Sequence, residues 1–169
     1  NWGSNAFLLV AGSRASCIRA SALQRALATR NDLPPIKLAV MHSPGSFELT
    51  GDWCEHMGLR EPDIQIRLPS QDSALQFADA VRQMDHVLRE YQPGAVLVQG
   101  GEDAALATSL VAHRQGIPLV HLEAGLRSFD RSRVHEVNGM MCDHLAELLM
   151  TSEWVAHDNL GREGVPADR

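Results

Sequence analysis

The stretch Ala95-Val96-Leu97-Val98-Gln99-Gly100-Gly101-Glu102-Asp103 decides the fold. Its first four residues are apolar without alternation, the pattern of a strand covered on both faces in a parallel sheet. The glycine pair turns the chain, and Asp103 to Arg114 follows with helical spacing. Gly116 and Pro118 mark the helix exit, and Leu119–Leu122 (LVHL) reads as the next strand. A strand, a helix and a second strand in immediate succession form the repeating unit of an α/β sheet.

The same alternation extends outward in both directions. Toward the amino terminus, Ala6–Ala11 (AFLLVA) is a buried strand ending at Gly12-Ser13. The helix expected over Ala15–Thr29 carries Ile18, Ala22, Leu23, Ala26 and Leu27 at helical spacing, and Asn31, Pro34 and Pro35 stop it. Ile36–Met41 reads as a strand, Asp52–Met57 as a short helix, and the alternating Ile64–Leu68 as a strand nearer an edge. Ser73 to Tyr91 is the clearest helix, with Leu75, Ala78, Val81, Met84, Val87 and Leu88 as its expected face and Ser70 or Asp72 as its cap. Toward the carboxyl terminus, a polar loop over Ser128–His135 precedes a helix from Glu136 to Ala146. A short strand at Leu148–Thr151 and a helix from Trp154 to Glu163 follow. The pattern predicts one α/β domain over residues 1–169, with a doubly wound parallel sheet and no linker or repeat. Ligands of such sheets bind at the carboxyl ends of the strands.

With 44% hydrophobic and 21% charged residues, the 169-residue chain has a globular composition. Its net charge of -6 argues against nucleic acid or an anionic membrane surface as a partner. No apolar run has the length of a membrane span. Cys17, Cys54 and Cys142 are odd in number and form no CxxC pair, which points to reduced thiols in a cytoplasmic protein. The opening residues say nothing about targeting. The eight histidines show no HExxH spacing, so no metal site is expected. Neither a GxSxG elbow nor a phosphate-binding GxxxxGK[ST] loop occurs.

Four turns at the sheet rim carry chemically suggestive residues. Gly12-Ser13-Arg14 offers a close backbone approach, free helix N–H groups and a guanidinium, the parts of an anion site; a tight turn explains the glycine equally. Gly100-Gly101-Glu102-Asp103 places two acids at a helix start, where they either face a ligand or favour the helix dipole. His121-Leu122-Glu123-Ala124-Gly125-Leu126-Arg127 ends a buried strand in a carboxylate, which is costly unless paired and is tolerated at functional sites. Arg127-Ser128-Phe129-Asp130-Arg131-Ser132-Arg133, running into His135-Glu136-Val137-Asn138, concentrates positive charge that suits a diphosphate or a solvated loop.

The run Gly116-Ile117-Pro118-Leu119-Val120-His121-Leu122-Glu123-Ala124-Gly125-Leu126-Arg127-Ser128-Phe129-Asp130-Arg131 strongly resembles the non-hydrolysing UDP-N-acetylglucosamine 2-epimerases. Leu106–Leu110, Asp143-His144-Leu145, Glu163-Gly164-Val165 and Gly12-Ser13-Arg14 fit the same pattern. The resemblance implies a Rossmann-like amino-terminal half of a two-domain GT-B architecture, with the active site in the cleft between the domains. The second domain, which in the family holds most of the UDP and supplies a catalytic histidine, lies outside this sequence. The partners implied are a UDP-sugar, that second domain or subunit, and a homodimer or hetero-oligomer. The implied chemistry removes the C2 proton while UDP leaves, then adds both back on inversion of C2, with no cofactor.

Carried over residue by residue, Glu123 corresponds to the family's carboxylate, Arg14 to its turn arginine, and Glu136 and Asn138 to the second Glu and the Asn of its P-E-E-x-N helix start. Several positions depart. The family's catalytic aspartate falls on Gly101, with Glu102 and Asp103 next in line to replace it; His135 stands at the first Glu of P-E-E, Val134 at its Pro, and Gly139 at an arginine. The family's Pro-Glu after the turn arginine becomes Ala15-Ser16. The expected catalytic set is therefore Glu123, His135, Glu136, Glu102 and Asp103, and the expected substrate contacts are Gly12, Ser13, Arg14, Arg127 and Asn138. Two functions stay open: a sugar-nucleotide 2-epimerase completed by a second domain, and a diverged binding or scaffold subunit, with a changed reaction such as hydrolysis between them. The first also predicts an apolar patch on the rim.

Overall fold

The computed structural model describes residues 5–45 and 51–169. The elements alternate as β1 (Phe7–Ala11), α1 (Arg14–Leu27), β2 (Ile36–His42), α2 (Gly51–Met57), β3 (Ile64–Arg67), α3 (Ser73–Tyr91), β4 (Ala95–Gln99), α4 (Asp103–Gln115), β5 (Leu119–Leu122), α5 (Val134–Leu145), β6 (Leu148–Met150) and α6 (Trp154–Arg162). The strands form one parallel sheet in the order β3-β2-β1-β4-β5-β6. This is the doubly wound arrangement that the strand–helix alternation predicts, and its order reverses between β1 and β4. The unbroken apolar runs pack on both faces. Leu8, Val10, Val96 and Val98 contribute to a core with Met84 and Leu88 of α3 and Ala107 of α4. Leu9, Leu38 and Val40 join Cys17 and Ala20 of α1 on the other face.

Two helices present faces other than the expected ones. α1 buries Ser16, Cys17, Ala20 and Ser21, while Ile18 is exposed and so are Ala22 and Ala26. Small side chains let α1 lie close to the sheet, so its contact stripe follows size more than hydrophobicity. α3 buries Ala80, Met84, Val87 and Leu88, but its first turn is solvated and Leu75 is exposed. Asp72 caps α3, accepting from the Leu75 N–H at 3.0 Å.

All three cysteines are buried and unpaired. Burial, then the charge of Glu102, pushes the Cys17 thiol up to about 12, and burial pushes Cys142 up to about 11. Both are inert neutral thiols at physiological pH. No helix among the described residues is long and apolar enough to cross a membrane.

Candidate active site

The carboxyl ends of β1, β4 and β5 are neighbours in the sheet, so their following turns converge. Ser13 caps α1 in a reciprocal box with Ser16. The first turn of α1 contains no acidic residue, yet a carboxylate sits there. Glu102 Oε2 accepts from the Gly12 N–H at 3.1 Å and from the Ser16 hydroxyl at 3.0 Å, and the Ser13 hydroxyl donates to Oε1. The anion favoured by a helix amino terminus is thus supplied by the protein itself, from the cap position of a different helix. Arg14 is exposed beside this turn.

Arg19, one helical turn beyond Ser16, approaches both acids of the rim. Its Nε lies 3.2 Å from Glu123 Oε2, an ion pair without an aligned hydrogen bond, and its Nη2 lies 3.9 Å from Glu102 Oε1. Glu123 follows β5 with φ of 61°, a left-handed conformation that costs a non-glycine residue about 1–2 kcal/mol. Its side chain remains 32% exposed.

The next residues build a buried scaffold. Asp143 has no exposed side-chain surface; it lies 2.6 Å from His121 Nδ1 and accepts from Arg127 Nη2 at 2.6 Å and from the Gly125 N–H at 3.2 Å. Arg127 also donates to both oxygens of Glu163, at 2.8 and 2.6 Å. Burial alone would raise the Asp143 pKa, but His121 and Arg127 outweigh it and hold the carboxyl below its usual range. Burial opposes the charge on Arg127 too, and its two carboxylate partners outweigh it, raising its pKa.

Glu136 is buried at the start of α5. Its Oε2 accepts from the Ser128 N–H at 2.8 Å and the Ser128 hydroxyl at 2.9 Å, and its Oε1 from the Phe129 N–H at 3.0 Å. Burial raises its pKa, but these donors prevail and lower it. Glu136 thereby fastens the loop after β5 to α5. Asn138 Nδ2 donates to Asp103 Oδ1 at 2.9 Å, linking α4 to α5.

Gly101 explains how α5 comes so close. A Cβ there would lie 1.8 Å from the His135 carbonyl oxygen and 2.9 Å from the Gly139 nitrogen, so any side chain requires the helix start to move. Of the two acids expected to stand in at this turn, Glu102 turns to α1 and Asp103 to Asn138. His135 is exposed. It lines a cavity of about 330 Å³ with Gly100, Gly101, Glu123, Arg133, Glu136 and Glu153. Arg127 and Ser128 border the same cavity, although the Arg127 guanidinium is buried in its ion pairs. Of the carboxylates expected from sequence, Glu123 and Glu136 reach this cavity, while Glu102 and Asp103 are not among its lining residues.

Sequence reasoning misses Arg19, Ser16 and Glu153. Arg19 and Ser16 share a helix face by their i, i+3 spacing, which was the available signal; nothing in the sequence brings Glu153 forward. The rim also exposes large apolar side chains: Leu126 and Phe129 after β5, Val134 at the start of α5, and Trp154 and Val155 at the start of α6, with Phe129 74% and Trp154 82% accessible.

Comparison with known proteins adds to this geometry. The family model described as UDP-N-acetylglucosamine 2-epimerase matches residues 34–169. A UDP-N-acetylglucosamine 2-epimerase of Methanococcus maripaludis is 31% identical over 163 residues, covering 95% of this chain and 43% of that protein. The UDP-2,3-diacetamido-2,3-dideoxy-D-glucuronate 2-epimerase of Pseudomonas aeruginosa is 29% identical over 93% of the chain and 44% of its own length. The structure of Methanocaldococcus jannaschii UDP-GlcNAc 2-epimerase with UDP-GlcNAc and UDP superposes with a TM-score of 0.83 at 30% identity, covering 95% of this chain and 44% of that one. The chain therefore spans less than half the length of these relatives. With the match extending over most of its residues, the chain belongs to the UDP-N-acetylglucosamine 2-epimerase family.

Proposed function

We propose that the chain forms one wall of a sugar-nucleotide cleft and takes part in C2 epimerisation, interconverting UDP-N-acetylglucosamine and UDP-N-acetylmannosamine or a related UDP-sugar. The observation that carries this reading is Glu123, a strained, partly open carboxylate held beside Arg19 at the mouth of the rim cavity. Strain of this kind persists where surrounding structure enforces it, commonly at active sites. In the proposed step, a carboxylate takes the C2 proton while the C1–O bond breaks and UDP leaves with the electron pair. Return of a proton to the opposite face of C2 and of the UDP oxygen to C1 completes the inversion. Glu123 is the base or its positioning partner, and His135 is the second proton carrier within the cavity. Arg133, which lines the cavity and whose ion pair with Asp130 is exposed, and Arg14 on the neighbouring turn are the cations assigned to the diphosphate, since Arg127 is buried between Asp143 and Glu163. Gly12 and Ser13 hold Glu102, and with it the turn, while Glu136, Asn138 and Asp103 position α5 against the site.

A second Rossmann-like domain or subunit supplies the other wall and most of the UDP contacts; the exposed Leu126, Phe129, Val134, Trp154 and Val155 suit such a partner. The setting proposed is the cytoplasm. The test incubates UDP-N-acetylglucosamine in deuterated water with the chain and its companion domain. Deuterium at C2 that disappears with Glu123→Gln supports the reading, and an unexchanged C2 proton sinks it for that substrate.

A second reading, a binding or scaffold subunit without turnover, is favoured by one observation. The His135 backbone leaves no room for a side chain at position 101, so no carboxylate can be placed there without moving α5. Calorimetric binding of UDP-N-acetylglucosamine without C2 exchange would select it. Release of free N-acetyl sugar would select hydrolysis.

A further inference from the structure

At the opposite end of the sheet from the rim, the last turns of α1 and the segment entering β2 enclose a cleft of about 500 Å³. Leu27, Leu33, Pro34, Pro35 and Ile36 form its apolar walls. Its charged lining is of one sign: Arg25, Arg30 and Arg60, with no aspartate or glutamate, in a chain of net charge -6.

The cations differ in their commitments. Arg30 is held bidentately by Asp32 at 2.7 Å, and Arg60 lies 3.8 Å from Asp63 and donates to the Ile36 carbonyl. Among the described residues, no carboxylate pairs with Arg25. Its Nη1 donates to the Met57 carbonyl at 3.3 Å, and it occupies the space a Cβ on Gly58 would fill, 2.7 Å away. That seating fixes one guanidinium nitrogen and leaves other N–H donors of the fork unused. Gln24 Oε1 accepts from the Arg60 N–H at 3.3 Å, while its buried Nε2 has no partner. A buried donor left unpaired costs about 1–3 kcal/mol; Gln24 lines the cleft, and a turn of its amide toward a bound acceptor would remove that cost.

We propose that this cleft binds a small organic oxyanion, a phosphate or carboxylate headgroup on an apolar body. The headgroup meets Arg25 and Gln24, and the body lies along Leu27, Leu33 and Pro34. A cavity of this size, mostly apolar with a few convergent donors, has the make-up of a small-ligand site. A guanidinium fork suits either headgroup. The site is separate from the rim and does not depend on the epimerase reading.

Calorimetric titration of the protein with hexyl phosphate, hexanoate and inorganic phosphate tests the proposal. Saturable binding of hexyl phosphate or hexanoate is expected, and whichever binds more tightly identifies the headgroup. Arg25→Gln should weaken it about tenfold or more. Leu33→Glu, a change at an exposed position that puts a negative charge into the cleft, should weaken it without unfolding the chain, as checked by circular dichroism. No saturation by any probe at millimolar concentration overturns the proposal, as does binding that both variants leave unchanged. Equal affinity for inorganic and hexyl phosphate overturns the assignment of the apolar walls.

Discussion

Asp143 and Glu123 are both carboxylates at the rim of one sheet, and they are treated in opposite ways. Asp143 is wholly buried, answers a histidine, an arginine and a backbone N–H, and is held ionised by them. Glu123 keeps a third of its side chain in solvent, leans on a single ion pair and sits in a strained backbone conformation. A carboxylate satisfied on all sides cannot change its partners cheaply, whereas one held open on a single ion pair can. The first builds the rim, and the second is the one that suits the chemistry proposed above.

Asp143→Ala should show the largest effect. It leaves His121 and part of Arg127 buried without their partner, at a cost of about 3–5 kcal/mol read from urea unfolding. A loss below about 1 kcal/mol would break the contrast between the two residues. Acid titration sharpens it. The folded-state values of Asp143 and Glu136 are depressed, so the unfolded chain binds more protons as pH falls. Their contribution is complete above the ordinary carboxylate range near 4 and declines as pH drops through the depressed values. Asp143→Asn should flatten that acid limb.

Glu123→Gln should act on turnover alone. C2 exchange is expected to fall about 10²–10⁴-fold, while stability changes by no more than about 1 kcal/mol, the range of a half-exposed ion pair. Equal losses of exchange and stability would place Glu123 with Asp143 as a structural group. Gly101→Ala should cost about 1–3 kcal/mol through overpacking against the His135 carbonyl, measured by thermal unfolding. The smallest effect on stability belongs to Glu123→Gly. Relief of the positive φ offsets the lost ion pair, so the melting temperature should stay level or rise slightly while exchange disappears.

The strands are readable because residues buried on both faces of a parallel sheet are apolar unless paired, as Ala95–Val98 are throughout and Leu119–Leu122 are apart from His121, which Asp143 satisfies. The face of α1 is not, because Ser16, Cys17, Ala20 and Ser21 pack through smallness, and hydropathy instead favours the exposed Ile18. Glu123 stood out because a carboxylate ending a buried strand demands a reason. The direction taken by Glu102 could not be foreseen, since one residue of helix phase separates a group facing α1 from one facing α5. Nor does a sequence reveal that Gly101 is filled by the backbone of a helix starting more than thirty residues later.

The carboxylate of Glu102 at the start of α1 changes how such divergence is to be counted. The resemblance alone, taken position by position, would mark Ser16 and Gly101 as places where an acid is expected. In space, the Ser16 hydroxyl donates to an acid held on the far side of the sheet's switch point. The charge at that spot is supplied across elements, so a position read along the chain is the wrong unit for locating it. In such a sheet, the acid serving one turn is to be looked for on the neighbouring turns as well as on its own.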